Sequence, residues 1–326
     1  MIKGALPREI KAPIAAELDE FERRFREDMR SRTPLLDRIT HYIVKRKGKR
    51  IRPMFVFLTA RLCGRVTDST YRGASLIELL HTATLVHDDV VDDAFERRGV
   101  LSINAVWKNK IAVLVGDYLL AKGLLLSIDH DDIRLLRIVS QAVKQMSEGE
   151  LLQIEKARRL DIREDIYYEI IRQKTASLVS SSCAVGAASA GASEETVAQM
   201  FQLGEDIGMA FQIKDDLFDY GKSGIGKPRG IDIREKKMTL PLIHVLSKTD
   251  QKTRRWIINT MKNHNHDRHR VKRVIEAVQH QGGLDYSTQV MRSYRDKAMQ
   301  RLERFDHSVE AEGLRKLIDF VIERKY

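Results

Sequence analysis

Seven aspartates in two short clusters are the residues of this sequence best suited to chemistry. The first cluster closes the apolar run LLHTATLVHDDVVDDAFERRG, from Leu79 to Gly99. It holds Asp88, Asp89, Asp92 and Asp93, followed by Arg97 and Arg98. On a helix, Asp88 and Asp92 lie one turn apart on one face, and Asp89 neighbours both Asp92 and Asp93. Carboxylates this close repel one another unless a cation lies between them. Mg²⁺ suits such oxygens and commonly takes one or two of them together with phosphate oxygens. The following arginines could hold the rest of a phosphate's charge. The second cluster, in FQIKDDLFDY from Phe211 to Tyr220, repeats the Asp-Asp-x-x-Asp spacing with Asp215, Asp216 and Asp219. One cluster could be a solvated helix face. Two, each embedded in an apolar helix, point to Mg²⁺ holding a diphosphate inside a helical bundle.

The elements that must position these residues are helices. The six prolines leave Met54 to Lys227 uninterrupted, and none follows Pro241. Those stretches are rich in Leu, Ala, Glu, Lys and Arg, with apolar residues three or four apart, as in Leu135, Ile138, Val139 and Val143. Expected loops are Gly64 to Ser69, Gly99 to Asn104 and Gly221 to Gly230, and Asp129 to Asp132 is expected to cap a helix. No solenoid repeat or low-complexity linker interrupts the chain. The expected fold is all-α: a multi-helix bundle around a central cavity, with residues 1–326 as a single domain.

Bulk properties narrow the partners. With 326 residues, 43% of them hydrophobic, the chain can bury a sizeable core. A net charge of +11 favours anionic partners without choosing among them. The basic stretch Lys45 to Arg52 lacks interleaved aromatics, so no nucleic-acid partner is expected. Cys63 and Cys183 are far apart and offer no disulfide framework or zinc motif, which fits a reducing cytoplasm. Met1 to Lys11 lacks a signal peptide's apolar core. The apolar stretch Ile111 to Leu126 is broken by Asp117 and Lys122, which argues against a membrane span.

Five motifs in order make the sequence resemble the trans-isoprenyl (polyprenyl) diphosphate synthase family, from about Gly48 to the last residues. Asp88-Asp89-Val90-Val91-Asp92 is similar to the family's first aspartate-rich motif, with Arg97 and Arg98 behind it, and Asp215-Asp216-Leu217-Phe218-Asp219 to the second. Gly48-Lys49-Arg50-Ile51-Arg52-Pro53 resembles the basic motif that holds isopentenyl diphosphate, with His81 completing that site. Lys174-Thr175 and Gln212 match residues that touch the allylic substrate. Gly226 to Asp232, then Lys237 to Pro241, match the segment after the second motif. Two family glycines are replaced, by Lys47 and Lys236, and neither change removes a ligand.

The resemblance implies ionisation, condensation and elimination. Mg²⁺ held by Asp88, Asp92 and Asp215, helped by Arg97, Lys174 and Lys227, would bind the allylic diphosphate. Asp89, Asp216 and Asp219 complete the implied metal set, and Thr175, Gln212 and Lys237 the substrate contacts. Lys49, Arg52, His81 and Arg98 would position isopentenyl diphosphate. Ala83 and Thr84 stand where bulky aromatics give short products in the family. Small residues there imply a long product, hexaprenyl to octaprenyl, for quinone side chains; a geranylgeranyl or farnesyl diphosphate synthase is the shorter-chain alternative. The family also implies a homodimer, with membrane contact through the product.

Other features read more plainly. Gly221 to Lys227 imitates a nucleotide P-loop, but Pro228 stands where Ser or Thr should ligate Mg²⁺. His264, His266 and His269 read as a solvated loop, Cys63 and Cys183 as buried small residues, and His87 as either support for Asp88 or simple packing. Lys45, Arg46, Lys47 and Arg50 are expected to face solvent or a membrane surface. A class I terpene cyclase would carry a different second metal motif, and a regulatory subunit would lose one cluster.

Overall fold

The computed structural model describes residues 7–45, 48–97, 99–221, 230–305 and 308–322. Among them the helices run in chain order as α1 (Arg8–Lys11), α2 (Ala15–Asp28), α3 (Pro34–Lys45), α4 (Ile51–Cys63), α5 (Asp68–Val91), α6 (Ile103–Ile128), α7 (Ile133–Arg159) and α8 (Glu164–Ile171). They continue as α9 (Ser177–Ser189), α10 (Glu194–Tyr220), α11 (Ile231–Arg234), α12 (Leu240–Lys248), α13 (Gln251–Asn263), α14 (Arg268–His280), α15 (Gly283–Leu302) and α16 (Val309–Ile322). The fold is all-α, as the sequence pattern predicts. The exception among the described residues is a small hairpin in the expected loop after Gly99. There β1 (Glu96–Arg97) pairs antiparallel with β2 (Val100–Leu101), turning at Gly99 with φ +78°.

The chain divides into two compact units. The first comprises Met1–Val143, Leu178–Gln202 and Arg304–Leu317. Its centre is α4, buried without a break from Pro53 to Ala60, and the equally buried small-residue helix α9. A Cβ added to Gly186 of α9 would sit 1.9 Å from Thr59 Oγ1 and 2.4 Å from the Val56 carbonyl oxygen, so only glycine allows that approach. Thr67 and Thr70 start α5 with a reciprocal capping box.

Asp132, at the start of α7, departs from its expected role. Its carboxylate accepts from Ser69 Oγ at 2.6 Å and Arg72 Nε at 2.5 Å, anchoring the first turns of α5 instead of capping α7. A charge-assisted bond to a guanidinium outweighs one to a backbone N–H.

The second unit comprises Lys144–Ser177, Leu203–Glu303 and Ile318–Tyr326. The buried Tyr220 fixes the end of α10: its hydroxyl meets Thr239 Oγ1 at 2.8 Å, and its carbonyl accepts from Gln279 Nε2 at 2.5 Å. Between α8 and α9 the chain makes a π-helical turn, Arg172–Ala176. π-Turns are rare and frequently mark functional positions. Helix α6 is long and apolar enough to cross a membrane by length and composition alone.

Candidate active site

In the first unit, α5 carries two sets of candidate residues on one stripe. Advancing about 100° per residue, His81, Thr84, Asp88 and Asp92 recur every three, four or seven residues and stay within one face. The 1.5 Å rise puts His81 about 10 Å along the helix from Asp88. Asp88 is half-buried, Asp92 exposed, and Asp89 is turned inward and buried. The helix ends under the cluster. Asp92 N–H donates to the Asp88 carbonyl at 2.8 Å, Asp93 takes the left-handed conformation at φ +48°, and Ala94 N–H donates to the Asp89 carbonyl at 2.9 Å. Asn104 Nδ2 also donates to that carbonyl, at 3.1 Å. This wrap satisfies the last carbonyls of α5.

Four aspartates thus crowd a helix C-terminus, where the backbone dipole is already negative and no basic residue lies in the last turn. Arg97 lies in β1 with its side chain outside the described residues, as does all of Arg98. Ala83 and Thr84 point differently: Thr84 is half-buried on the Asp88 stripe and bonds the His81 carbonyl at 2.9 Å, while Ala83 is fully buried about 140° away.

Lys49, Arg50 and Arg52 open α4. Lys49 and Arg52 are half-buried. Arg50 overturns the expectation that it faces solvent. It sits at φ +53°, and its guanidinium donates from Nε to Glu22 at 2.7 Å and from Nη1 to Glu78 at 2.5 Å, 4.9 Å above the Phe25 ring. Only 13% of its side chain is exposed. Glu78 lies one turn before His81, so Arg50 ties the turn bearing Lys49 and Arg52 to the helix bearing His81 and Asp88. The partners are 28 residues away on either side, which local spacing does not reveal.

His87 packs against α6. Its Nε2 lies 3.2 Å from the Val113 carbonyl and 3.4 Å from Asp117, and a Cβ on Gly116 would collide with the ring at 2.1 Å. Of its two readings, packing is the one the contacts favour.

In the second unit, Gln212, Asp215, Asp216 and Asp219 share one face of α10 within about 100°. The three aspartates are in different situations. Asp216 is buried, accepting from Tyr167 Oη at 2.7 Å and from Gln212 Nε2 at 2.8 Å. Burial pushes its pKa up to about 7 against the pull of those two donors. Asp219 accepts from the backbone N–H groups of Ile231 at 2.9 Å and Asp232 at 3.2 Å, pinning the chain where it re-enters helix at α11. Burial raises its pKa as well. Asp215 is half-buried beside them. Asp232, not foreseen as part of the cluster, is pushed up to about 8, first by burial and then by the charges of Asp216 and Asp219. A buried and two half-buried carboxyls with raised pKa values, crowded beside Asp215, mark a site where added positive charge would be favourable.

Thr175 Oγ1 donates to Gln212 Oε1 at 2.9 Å, so both candidate allylic contacts are linked to Asp216 through one hydrogen-bonded chain. Lys174, inside the π-turn, pairs with Glu150 of α7. Lys237 Nζ donates to Glu235 at 2.5 Å. Lys227 lies outside the described residues, with the segment Gly226 to Arg229. Among the described residues no three His, Cys, Asp or Glu side chains converge as a ready-made metal centre. Tyr167 escaped sequence reasoning, and Asp232 is read there only as the end of the segment after the second motif, because neither lies in a repeated spacing.

Comparison with known proteins gives this arrangement a context. Residues 33–278 match the family model described as polyprenyl synthetase. The all-trans-nonaprenyl-diphosphate synthase of Rhodobacter capsulatus is 35% identical over 319 residues, covering 97% of each chain. A polyprenyl synthase from Caulobacter crescentus, solved with calcium and isoprenyl diphosphate, superposes with a TM-score of 0.90 at 31% identity over 98% of each chain. A geranylgeranyl pyrophosphate synthase from Bacteroides thetaiotaomicron is 38% identical with a TM-score of 0.83, covering 97% of this chain and 98% of the other. The fold is that of the polyprenyl synthases, one of which holds a divalent cation with its isoprenyl diphosphate. The chain belongs to the polyprenyl synthetase family and is a prenyltransferase.

Proposed function

We propose that this protein is a Mg²⁺-dependent trans-polyprenyl diphosphate synthase that condenses isopentenyl diphosphate onto an allylic diphosphate and makes a long chain, hexaprenyl to octaprenyl. The observation that carries this reading is the pair of carboxylate clusters near the C-terminal ends of α5 and α10, with no basic residue in the final turn of either helix. Asp88, Asp92 and Asp215 would hold the metal; when bound, it neutralises the charge that develops on the departing diphosphate. Asp89 and Asp216, both buried, and Asp219 stand behind them. Arg97, Lys174, Lys227 and Lys237 supply further positive charge to that diphosphate, and Thr175 and Gln212 line the allylic side. Lys49, Arg52, His81 and Arg98 orient isopentenyl diphosphate so that its double bond meets the allylic carbon. No side chain is assigned as a dedicated base; the released diphosphate takes the final proton. Positioning and electrostatics do the catalytic work.

The small residues Ala83 and Thr84 support a long product, whereas relatives named for long and for geranylgeranyl products resemble the chain to similar degrees and do not decide the length. A homodimer is supported by the exposed apolar stripe of α6, which includes Val113, Leu114, Leu124, Leu125 and Ile128. The two unpaired cysteines favour a cytoplasmic setting, and one folded domain built from both units completes the reading. The test is a product assay on the purified chain with Mg²⁺, labelled isopentenyl diphosphate and farnesyl diphosphate, read by mass spectrometry. A ladder ending at a long polyprenyl diphosphate is expected. Geranylgeranyl diphosphate alone would overturn the length, and no incorporation would overturn the synthase reading in favour of a cyclase or a regulatory subunit.

A further inference from the structure

We infer that Gly149 and Glu150 of α7 form a positioning device for Lys174, holding the π-turn at a fixed depth and aiming its ammonium at the allylic diphosphate. The inference rests on the proposed reading of Lys174 as an allylic-diphosphate contact, and it adds two residues to which that reading assigns nothing.

Glycines lie against the π-turn on two helices. A Cβ at Gly149 would stand 2.8 Å from Gln173 Cβ and 3.0 Å from Lys174 N, and a Cβ at Gly208 of α10 would stand 2.5 Å from Ala176 Cα. The turn is therefore seated between two helix backbones with no room for a side chain on either. Its own bonds reinforce the seat: Ser177 Oγ donates to the Gln173 carbonyl at 2.5 Å, and Gln173 Nε2 donates to Glu169 at 2.5 Å. With the backbone so fixed, the remaining freedom is that of the lysine side chain, four rotatable bonds long.

Glu150, next to Gly149 in sequence, pairs with Lys174, and its Oε1 accepts from Gln153 Nε2 at 3.2 Å. Both ion-pair partners are mostly buried, at 31% and 22% exposure. An ammonium has three donors. Glu150 engages one of them and leaves the other two for phosphate oxygens, so the lysine is held in place before substrate arrives. Pre-ordering of this kind improves binding of the diphosphate by removing the entropy of ordering a long side chain.

The test is a double-mutant cycle with Glu150→Gln and Lys174→Ala, reading kcat and KM for each substrate separately. Lys174→Ala should raise KM for the allylic diphosphate. Glu150→Gln should raise the same KM roughly fivefold, leave KM for isopentenyl diphosphate unchanged, and add nothing in the Lys174→Ala background. Glu150→Gln shifting both KM values alike, having no effect, or acting undiminished without Lys174 would overturn the positioning role. If Lys174→Ala itself leaves the allylic KM unchanged, the site reading beneath it fails instead. Gly149→Ala supplies a second check: where the protein folds with an unchanged circular dichroism spectrum, its allylic KM should rise and that for isopentenyl diphosphate should not, and equal shifts would count against the seat.

Discussion

Arg50 offers the sharpest test of how the entrance to α4 is built. It is a non-glycine residue in the left-handed region, a conformation that costs about 1–2 kcal/mol. It is kept there by Glu22 and Glu78, and the three side chains retain only 13, 24 and 10% exposure. Arg50→Met keeps an apolar stem over Phe25 but leaves two carboxylates without their cation. Removing one partner of a buried ionic group costs about 3–5 kcal/mol, and residual exposure at Glu22 places this case near the low end, about 3 kcal/mol. Arg50→Lys retains the charge but not the fork that reaches both carboxylates, so about half of that loss is expected. Glu78→Gln in the Arg50→Met background should recover part of it, since one stranded charge is removed. Because the same turn carries Lys49 and Arg52, KM for isopentenyl diphosphate should rise about five- to tenfold in Arg50→Met while kcat changes less. Urea denaturation followed by circular dichroism, alongside steady-state kinetics, measures both effects. A variant within about 0.5 kcal/mol of the parent with unchanged KM would show that Glu22 and Glu78 do not need Arg50.

Four further outcomes are expected. Asp88→Asn or Asp215→Asn should lower turnover by roughly a thousandfold or more with helix content unchanged, and a near-normal rate in either folded variant would refute the metal assignment. Thr84→Phe should shorten the product, and it is a cleaner probe than Ala83→Phe, because Ala83 is fully buried and a ring there risks about 1–3 kcal/mol of overpacking; an unaltered product ladder would count against the length reading. Leu114→Asp with Leu125→Asp, both exposed on α6, should yield a monomer by light scattering, and an unchanged dimer would place the interface elsewhere. Burial pushes the Cys63 thiol up to about 11 and the Cys183 thiol higher still. Raising a pKa empties the thiolate state below it, so at about pH 8 native protein should react with iodoacetamide roughly a hundredfold more slowly than unfolded protein; equal rates would contradict this.

What the sequence made legible was whatever repeats or follows helical spacing. Asp88 and Asp92 on one stripe and the all-α composition follow from local rules of period and polarity; of the two cysteines expected to be buried, Cys183 is and Cys63 is half-buried at the end of α4. Arg50 was misread because its partners come from α2 and α5, and a basic run says nothing about which of its members finds a buried carboxylate. Asp132 has the sequence signature of a cap because it precedes a helix, whereas Ser69 and Arg72 reach it from a helix about sixty residues earlier. The second cluster was found as three aspartates. That one is buried against Tyr167, another anchors α11 and Asp232 joins them are tertiary facts. Glu150 carried no signal until a π-turn brought Lys174 to it.

The two clusters share a placement that bears on how substrate is taken up. A helix C-terminus carries the equivalent of about half a negative charge, and stabilising residues there are cations. Both α5 and α10 instead end in carboxylates. A bare diphosphate would be repelled by such an end, and among the described residues a bare dication has no ready-made group of three ligands. A diphosphate already carrying metal meets neither difficulty: its cation neutralises the aspartates and its oxygens complete the coordination. On the proposed reading, metal and allylic diphosphate must therefore bind cooperatively, each raising the other's affinity by the same factor. On the same reading isopentenyl diphosphate meets Lys49 and Arg52 at the start of α4 together with His81, about 10 Å along α5 from Asp88, and needs no metal of its own. On this reading the two diphosphates differ in what they meet, basic side chains at the start of α4 for one and the carboxylates that end α5 and α10 for the other.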